Sequence, residues 1–330
     1  MTQDPLALAA QYLAMPLVRG VVGATILIAS ISLALLFLIW LERKLIARLQ
    51  QRYGPNRAGK FGILQIIADG IKLLTKEDIV PAAADRWVFN AAPVLGFGIA
   101  FLAFVAIPFG EGLIVSDLNI GILYIMAVSS LAVVPVIMAG WAPNNKYNLL
   151  GGMRSAAQMI SYEVPLTLSI VGVVMMAGSL STVAIVEAQK RLWFIVPQIL
   201  GFIVFLVAAF AESARLPFDL PEAESELVQG WTTEYSGMKF AMLLFAEYIH
   251  SILAALLVTV LFLGGWNGPI LPPTVWFLLK AFVVLLFFMW MRASVPRVRI
   301  DQLLNIGWKV LIPLALLNIV ITGAAGVLLG

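Results

Sequence analysis

Eight stretches of roughly 20 mostly apolar residues dominate this sequence, and about that length is needed for a helix to cross a bilayer. Charged residues make up only 12% of the 330, so no hydrophilic block remains that could form a second core. The sequence therefore predicts an all-α polytopic membrane protein, with residues 1–330 forming a single transmembrane domain. The predicted spans are Val21–Trp40, Val88–Pro108, Gly121–Trp141, Gln158–Gly178, Trp193–Ala211, Met238–Leu263, Val275–Met291 and Trp308–Leu329.

The basic residues are unevenly distributed among the connections between these spans. Most Lys and Arg residues lie in the odd-numbered loops or at their helix edges, whereas only Arg19, Lys190 and Arg191 lie on the other side. The positive-inside rule therefore predicts that the odd-numbered loops face the cytoplasm. Because an even number of spans returns the chain to its starting side, both termini are predicted to lie outside.

The fifth loop, residues 211–238, is called the acidic loop below because it carries six of the chain's 18 acidic residues. Apolar residues alternate with the acids, so the segment can pack against protein, although a solvated acidic loop is the alternative. Pro217 and Pro221 restrict the backbone and predict an extended segment from Leu216 to Leu220. A short helix is predicted to follow and to end near Gly230. The six acids are Glu212, Asp219, Glu222, Glu224, Glu226 and Glu234.

The first loop, residues 41–86, begins with an amphipathic pattern. Leu41, Leu45 and Leu49 fall on one helical face while Arg43 and most other basic residues lie elsewhere. This pattern predicts a helix over residues 41–52 that lies in the headgroup plane. A second helix is predicted over residues 61–74. Such a basic helix is either an anchor that fixes the topology or part of a ligand entrance, and the pattern fits both.

Three ionisable residues, Glu163, Glu247 and Lys280, fall inside predicted spans. A charge at the bilayer centre costs about 3 kcal/mol even on mild insertion scales, so these residues need mutual pairing or a wet cavity. Glu247 and His250 are three residues apart, which places them on one helical face. Together with the acidic loop, this set predicts a proton path. The alternatives are that Glu163 lies at a helix boundary, that Lys280 reaches an interface, and that His250 only packs.

Several kinds of site are excluded or unmatched. The chain has no Cys and one His, so it cannot supply Cys-ligated iron–sulfur clusters, thiolate zinc sites or bis-His haem. We find no metal-ligand cluster, no phosphate-binding loop, no nucleophile paired with a base and no nucleic-acid-binding stripe. Any redox chemistry that the chain serves must therefore receive its electrons from another subunit.

Seven segments, in order along almost the whole chain, resemble the membrane subunit called H in bacterial NADH:quinone oxidoreductase, respiratory complex I. The segment from Pro217 to Leu227, with the sequence PFDLPEAESEL, is the most specific of them. The others are Glu42–Lys44, Arg52–Asn56, Ala68–Lys72, Trp141–Tyr147, Ser161–Glu163 and Thr233–Tyr235.

The resemblance implies an eight-helix subunit of a bacterial inner membrane whose first and fifth cytoplasmic loops help to wall a quinone chamber, with both termini in the periplasm. It implies that this chain binds no cofactor alone, that quinone is the substrate, and that NADH, FMN and iron–sulfur clusters lie on partner subunits. The implied partners are the hydrophilic cluster-bearing arm and neighbouring membrane subunits. The implied quinone-side residues are Arg43, Arg52, Arg215, Asp219, Glu222 and Glu224. The implied proton-side residues are Glu163, Glu212, Glu226, Glu234, Glu247 and Lys280.

Three other functions fit part of the pattern. Intramembrane acids and a lysine would also suit a freestanding proton or cation transporter, which would be active when reconstituted alone. A purely structural anchor would leave the intramembrane carboxylates unexplained. Membrane-bound hydrogenases use a similar subunit, and the electron donor is bound outside this chain.

Overall fold

The computed structural model describes residues 16–221 and 224–329, and within these ranges the protein is helical, with one isolated β-bridge between Gly110 and Leu113. A 3₁₀ turn extends the helix Arg86–Leu102 to Ala106, and a π-helical stretch over Ile306–Leu311 joins the last two helices. The helices are α1 (Pro16–Leu49), α2 (Gln65–Thr75), α3 (Arg86–Leu102), α4 (Gly121–Ser130), α5 (Val133–Trp141), α6 (Lys146–Ala177), α7 (Thr182–Ala188), α8 (Ile199–Glu212), α9 (Glu224–Leu227), α10 (Gly237–Leu261), α11 (Pro273–Ser294), α12 (Ile300–Asn305) and α13 (Ile312–Leu329).

Seven helical segments within the described ranges are long and apolar enough to cross a membrane. This confirms the prediction of an all-α polytopic membrane protein. The predicted fifth span, Trp193–Ala211, differs, because only its second part is the helix α8. At 1.5 Å per residue, α8 is about 21 Å long and shorter than the ~30 Å hydrocarbon core. Whether α8 is the eighth membrane-spanning helix therefore stays a prediction.

The first helix is longer than the sequence pattern predicted. Helix α1 continues without a break through Leu41 to Leu49, so the prediction of a separate helix over residues 41–52 is wrong. The chain leaves the helix only at the turn around Gln51, whose φ of 55° is left-handed. Neither proline nor glycine interrupts residues 40–49, and the good helix formers in this stretch explain the continuation.

The amphipathic helix of the first loop is α2, which begins four residues later and ends one residue later than the second helix predicted over residues 61–74. Its Ile67, Ile71 and Leu74 are exposed in the isolated chain. Asp69, on another face, is bonded to Arg43 of α1. The helix therefore presents an apolar face to a membrane or a partner while its polar face is tied to the bundle.

The odd-numbered loops meet at one end of the helix bundle, which we call the loop face. The Asp85 N–H donates to the Ala142 carbonyl and the Val298 N–H donates to the Pro217 carbonyl, both at 3.0 Å. These bonds connect the first loop to the third and the fifth to the seventh. Among the described residues, the loop face consists of 50–64, 76–85, 142–145, 213–221, 224–236 and 295–299.

The even-numbered loops meet at the other end, the opposite face. The Ile122 N–H donates to the Leu180 carbonyl and the Ile195 N–H donates to the Phe262 carbonyl, both at 3.0 Å. The opposite face consists of residues 107–120, 178–181, 189–198 and 262–272. The connections thus alternate between the two ends, as the predicted topology requires.

Helix α6 lies at the centre of the bundle and packs against α5, α8 and α13. Its Gly152 comes so close to α5 that a Cβ atom there would lie 2.9 Å from the Cα of Gly140. The absence of side chains at both positions therefore permits the two helices to touch through their backbones. This close contact brings the loop-face end of α6 up against the acidic loop.

Candidate functional site

Polar side chains of α6 hold the acidic loop against the bundle. Gln158 donates from Nε2 to the carbonyls of Ala211 and Phe218, at 2.7 and 2.8 Å. Asn148 donates from Nδ2 to the carbonyl of Trp231 at 3.0 Å. Because both amide side chains are buried, these bonds satisfy loop carbonyls that water does not reach. The loop is therefore packed against protein, and the alternative of a solvated acidic loop does not apply to these residues.

The segment Leu216–Leu220 is a series of turns, so the prediction of an extended segment is wrong. The Phe218 N–H donates to the Arg215 carbonyl at 2.8 Å, which closes a turn around Pro217. The φ value of proline suits turns as well as extended backbone, and the tertiary contacts of Phe218 select the turn. The buried ring of Phe218 packs against Tyr162 and Phe210. The turn directs the neighbouring Arg215 into the bundle.

Arg215 belongs to a group that we call the arginine cluster, made of the buried Glu42 and Arg215 and the half-buried Tyr248 and Arg292. Glu42, on α1, receives a hydrogen bond from Arg292 on α11 and lies 3.4 Å from Nη1 of Arg215. The Glu42 and Arg215 side chains are only 6% and 10% exposed, so little water screens this pair. The Arg215 guanidinium also lies over the Tyr248 ring, 3.7 Å from its centroid.

Two arginines against one glutamate leave the arginine cluster with a positive balance. Burial disfavours the charge on Arg215, but Tyr248 and the Glu42 and Glu247 carboxylates outweigh it and raise the pKa of Arg215 above its usual value. The guanidinium therefore stays charged. A cavity of about 30 Å³ adjoins the cluster and is lined by Ser251 in addition to Leu38 and α11 side chains.

Glu212, at the end of α8, forms a second group with Ser129 and Glu163. The Ser129 hydroxyl donates to Glu212 Oε1 at 2.8 Å, and Glu163 lies close enough for its charge to act on Glu212. Ser129 lies where the span from residue 121 to 141 breaks into α4 and α5. The break is expected because Pro135 has no N–H with which to continue the helix from Leu131. The broken span thus presents a hydroxyl to the half-buried carboxylate of Glu212.

Helix α10 connects the two groups. Tyr248 belongs to the arginine cluster, and the charge of Glu247 acts on Arg215. His250, one turn further along, lies beside Glu212 in the wall of a shared cavity. Glu247 and His250 therefore share the helical face that their spacing predicted, and that face lies between the arginine cluster and Glu212.

Two of the implied proton-side acids lie nearer the surface of the loop face. Glu226 is paired with Arg154 of α6 at 2.5 Å, and its side chain is 51% exposed. The hydrogen bond from Arg154 lowers the pKa of Glu226 below its usual value. Glu234 accepts a hydrogen bond from Asn145 Nδ2 at 2.6 Å. Both acids thus fasten the acidic loop to the start of α6 or the turn before it.

Arg43 and Arg52 lie at the outer edge of the loop face, apart from the buried groups. Arg43 is paired with Asp69, and Arg52 donates from Nε to Gln50 at 2.8 Å. Burial acts to raise the pKa of Asp69, but hydrogen bonds from Gln65 and Arg43 outweigh it, so the pKa is lowered. Both arginines line an open pocket of about 280 Å³ together with Tyr53.

Lys280 lies near the opposite face, where its ammonium group is held by backbone. Its Nζ donates to the carbonyls of Leu263, Gly265 and Asn267, at 2.6, 3.0 and 2.7 Å. The ring of Trp193 covers it at 4.3 Å. All three donors of the ammonium group are thus used. These contacts show how a lysine within a span is accommodated, at the end of the bundle away from Glu212.

The remaining implied quinone-side residues lie in the middle of the acidic loop. Asp219 is half-buried in the turns that follow Phe218. Glu224 begins the one-turn helix α9, and its side chain lies outside the described part of the chain. Glu222 lies outside the described residues altogether.

Sequence reasoning missed Glu42, Tyr248 and Arg292 as members of a buried site. The available signal was that Glu42 is the single acid beside several basic residues at the end of the first apolar stretch. Arg292 gives no separate signal, because a basic residue at the end of a span is also what the positive-inside rule predicts. Within the described ranges, no group of three or more His, Asp or Glu residues could hold a metal ion.

Sequence comparisons agree with this architecture. A model of the family described as NADH dehydrogenase matches residues 22–323. One relative, the second H subunit of NADH-quinone oxidoreductase in Syntrophobacter fumaroxidans, is 54% identical, with 91% of this chain and 93% of the relative covered. The H subunit of the same enzyme in Dehalococcoides mccartyi strain CBDB1 is 56% identical over 90% and 84%, respectively. The H subunit in Rhodospirillum centenum is 49% identical over 94% and 95%. The chain therefore belongs to the family of NADH-quinone oxidoreductase H subunits.

Proposed function

We propose that this chain forms part of the quinone-binding chamber of a proton-translocating NADH:quinone oxidoreductase and couples quinone reduction to proton translocation through its buried carboxylates. Other subunits of the complex, including a hydrophilic arm with FMN and iron–sulfur clusters, supply electrons from NADH. The chain lies in a bacterial inner membrane with the loop face towards the cytoplasm and both termini in the periplasm.

The observation that carries this proposal is the adjacency of two buried or half-buried ionisable groups behind the acidic loop. The arginine cluster lies on one side of α10, and Glu212 with Glu163 lies on the other. Keeping such groups inside a membrane protein costs free energy that packing alone does not require. A function that uses their charge explains why they are there.

The chemistry needs protons as well as electrons, because a quinone becomes a quinol by gaining two electrons and two protons. Negative charge that develops on a quinone headgroup near the acidic loop would be stabilised by Arg215 and would raise the proton affinity of nearby carboxylates. We assign the first response to Asp219, Glu222 and Glu224, which follow Arg215 closely in the sequence of the acidic loop. Arg43 and Arg52 would steer the headgroup at the outer edge.

The proton side of the proposal follows the same loop inward. The carbonyl of Ala211, next to Glu212, and the carbonyl of Phe218, next to Asp219, are bonded to one side chain, Gln158. A rearrangement of the turn at Asp219 is therefore expected to reach Glu212 and then Glu163. Glu226, Glu234, Glu247 and Lys280 complete the proposed set, with Lys280 the most remote from the loop.

The test is to substitute Glu212→Gln and Glu163→Gln in the intact complex and to measure quinone reduction and proton pumping driven by NADH. We expect a loss on the order of tenfold or more in both rates, as for removal of a positioned proton carrier. Glu187→Gln is the matched control, because Glu187 is an exposed acid whose only ion pair in the described region is with Lys190.

Full quinone reduction and full pumping in both carboxamide variants would overturn the proposal. The transporter alternative has its own test, since it predicts proton or cation flux when this chain is reconstituted alone into vesicles. The proposed subunit shows no such flux without its electron-donating partners.

A further inference from the structure

Two small cavities lie on either side of the same pair of side chains, Glu212 and His250. Both residues line both cavities, as does Ser213 next to Glu212, so the pair and Ser213 form the partition between them. Glu212 is part of the proposed proton path, whereas His250, the only histidine of the chain, has no role in it so far. The position of His250 between the two cavities gives it a role in proton transfer.

The first cavity has a volume of about 40 Å³ and extends from the partition towards the acidic loop. A cavity needs roughly 10–15 Å³ to hold one water molecule, together with two to four polar partners. Glu247 and Ser155 line this cavity in addition to the pair. Trp231 also lines it, and the buried indole N–H of Trp231 has no partner among the described residues. Both the volume and the polar groups therefore suit water.

The second cavity has a volume of about 20 Å³ and extends from the partition deeper into the bundle. Its polar lining consists of Ser129 and Ser213 in addition to the pair. Ser129 is the residue whose hydroxyl is bonded to Glu212. The remaining lining is apolar, with Phe205 and Leu257 among its members. This cavity has space for a single water molecule beside the carboxylate.

His250 is suited to connect the two cavities. An imidazole carries a donor and an acceptor nitrogen on opposite parts of one ring, so it can take a proton from one side and release another to the other side. His250 lines both cavities, so its ring borders the space for water in each of them. The ring is therefore available to water in both cavities.

We propose that His250 is a proton-relay residue. It passes protons between the first cavity, which Glu247 and Glu212 line, and the second cavity, which Ser129 lines. One ring nitrogen accepts a proton from a hydrogen-bonded water while the other nitrogen releases its own, so no net charge remains on the ring after each transfer. This inference rests on the proposed function, because it adds a carrier to that proton path.

The test uses the intact complex with His250→Gln, which keeps a polar side chain of similar length but cannot exchange protons, and His250→Asn, a smaller second substitution. Thr259→Val is the control, because Thr259 is buried on the same helix, is bonded only within it to Ala255, and lines neither cavity. Reduction of an artificial acceptor by NADH, which does not need the quinone site, measures assembly.

We expect both His250 variants to lower quinone reduction about tenfold or more at normal assembly, with an increased solvent deuterium isotope effect, while Thr259→Val changes neither. Wild-type rate and isotope effect in either assembled His250 variant would overturn the relay. If Glu212→Gln is inactive while His250→Gln is fully active, only the relay fails. If Glu212→Gln is also fully active, the proposed function fails with it.

Discussion

Gln158 donates hydrogen bonds to the carbonyl oxygens of both Ala211 and Phe218, so one side chain closes the excursion of the chain that holds Arg215. Gln158 itself is buried on the central helix α6. Gln158 therefore positions Arg215 indirectly, by holding the backbone before and after it. The position of the Arg215 charge depends in this way on the neutral amide of Gln158, which belongs to another helix.

Gln158→Leu is expected to loosen the acidic loop, because two buried carbonyls lose their donor at a cost of roughly 1–3 kcal/mol each. The measurement is limited proteolysis of the purified complex, with cleavage after Arg215 as the signal. Gln50→Leu is the control, since Gln50 is exposed at the end of α1. Unchanged cleavage in Gln158→Leu would contradict this account of the loop.

Glu42→Gln is expected to destabilise the protein by about 3–5 kcal/mol, because it leaves the buried charge of Arg215 and the half-buried charge of Arg292 without their acid. Thermal unfolding of the detergent-solubilised complex measures the effect. The control is Asp301→Asn, which removes the exposed pair with Arg299 and should cost less than about 1 kcal/mol. Equal effects of the two substitutions would show that the arginine cluster is not buried in the assembly.

Gly151→Ala is expected to displace the end of the acidic loop, since a Cβ atom at Gly151 would lie 2.5 Å from the Trp231 backbone nitrogen. Overpacking of this kind costs about 1–3 kcal/mol. Gly70→Ala is the matched control, because it adds the same methyl group to helix α2 with nothing within 4 Å. The control should be neutral or slightly stabilising in thermal unfolding. A neutral Gly151→Ala would show that the loop packs elsewhere.

The Glu226–Arg154 pair is expected to make the attachment of the acidic loop depend on pH. The pKa of Glu226 is lowered from 4.5 by the Arg154 hydrogen bond, so the stabilisation is present above pH 4.5 and is lost as the pH falls through the folded pKa. Because Glu226 is exposed, the contribution is less than about 1 kcal/mol.

Proteolysis of the loop at pH values below and above this pKa, with an acid-tolerant protease, measures this dependence. Wild type should become more susceptible at the lower pH. In Glu226→Gln, the susceptibility to proteolysis should differ less between the two pH values than in wild type. If the susceptibility of both proteins changed equally with pH, the Glu226–Arg154 pair would not be the source of the pH dependence.

Lys280→Met is expected to loosen the opposite face, because three carbonyls lose a charged donor. Hydrogen bonds to charged groups contribute about 1.5–3 kcal/mol each, so a loss of several kcal/mol is expected in thermal unfolding. Lys190→Met is the control, since Lys190 is exposed at the same face. Unchanged stability of Lys280→Met would contradict the role of these three bonds in holding the opposite face. Loss of proton pumping in a folded Lys280→Met complex would support the place of Lys280 in the proposed proton set.

The sequence by itself determined the class of fold and the positions of most spans. A helix is the economical way to satisfy a backbone in hydrocarbon, so long apolar stretches such as Val275–Met291 leave little choice. The i,i+3 spacing also placed Glu247 and His250 on one face, because that relationship lies within a single helix. The motif segments likewise pointed to the family that the comparisons show.

Only the tertiary structure decided which charges meet. Glu42 and Arg292 are 250 residues apart in the chain, and no local pattern encodes their contact. The same holds for Lys280, whose partners are backbone carbonyls of the preceding loop, and for Leu41–Leu49, where helix continuity replaced a predicted break. Pairing of buried charges depends on helix packing, which the sequence specifies only through the whole fold.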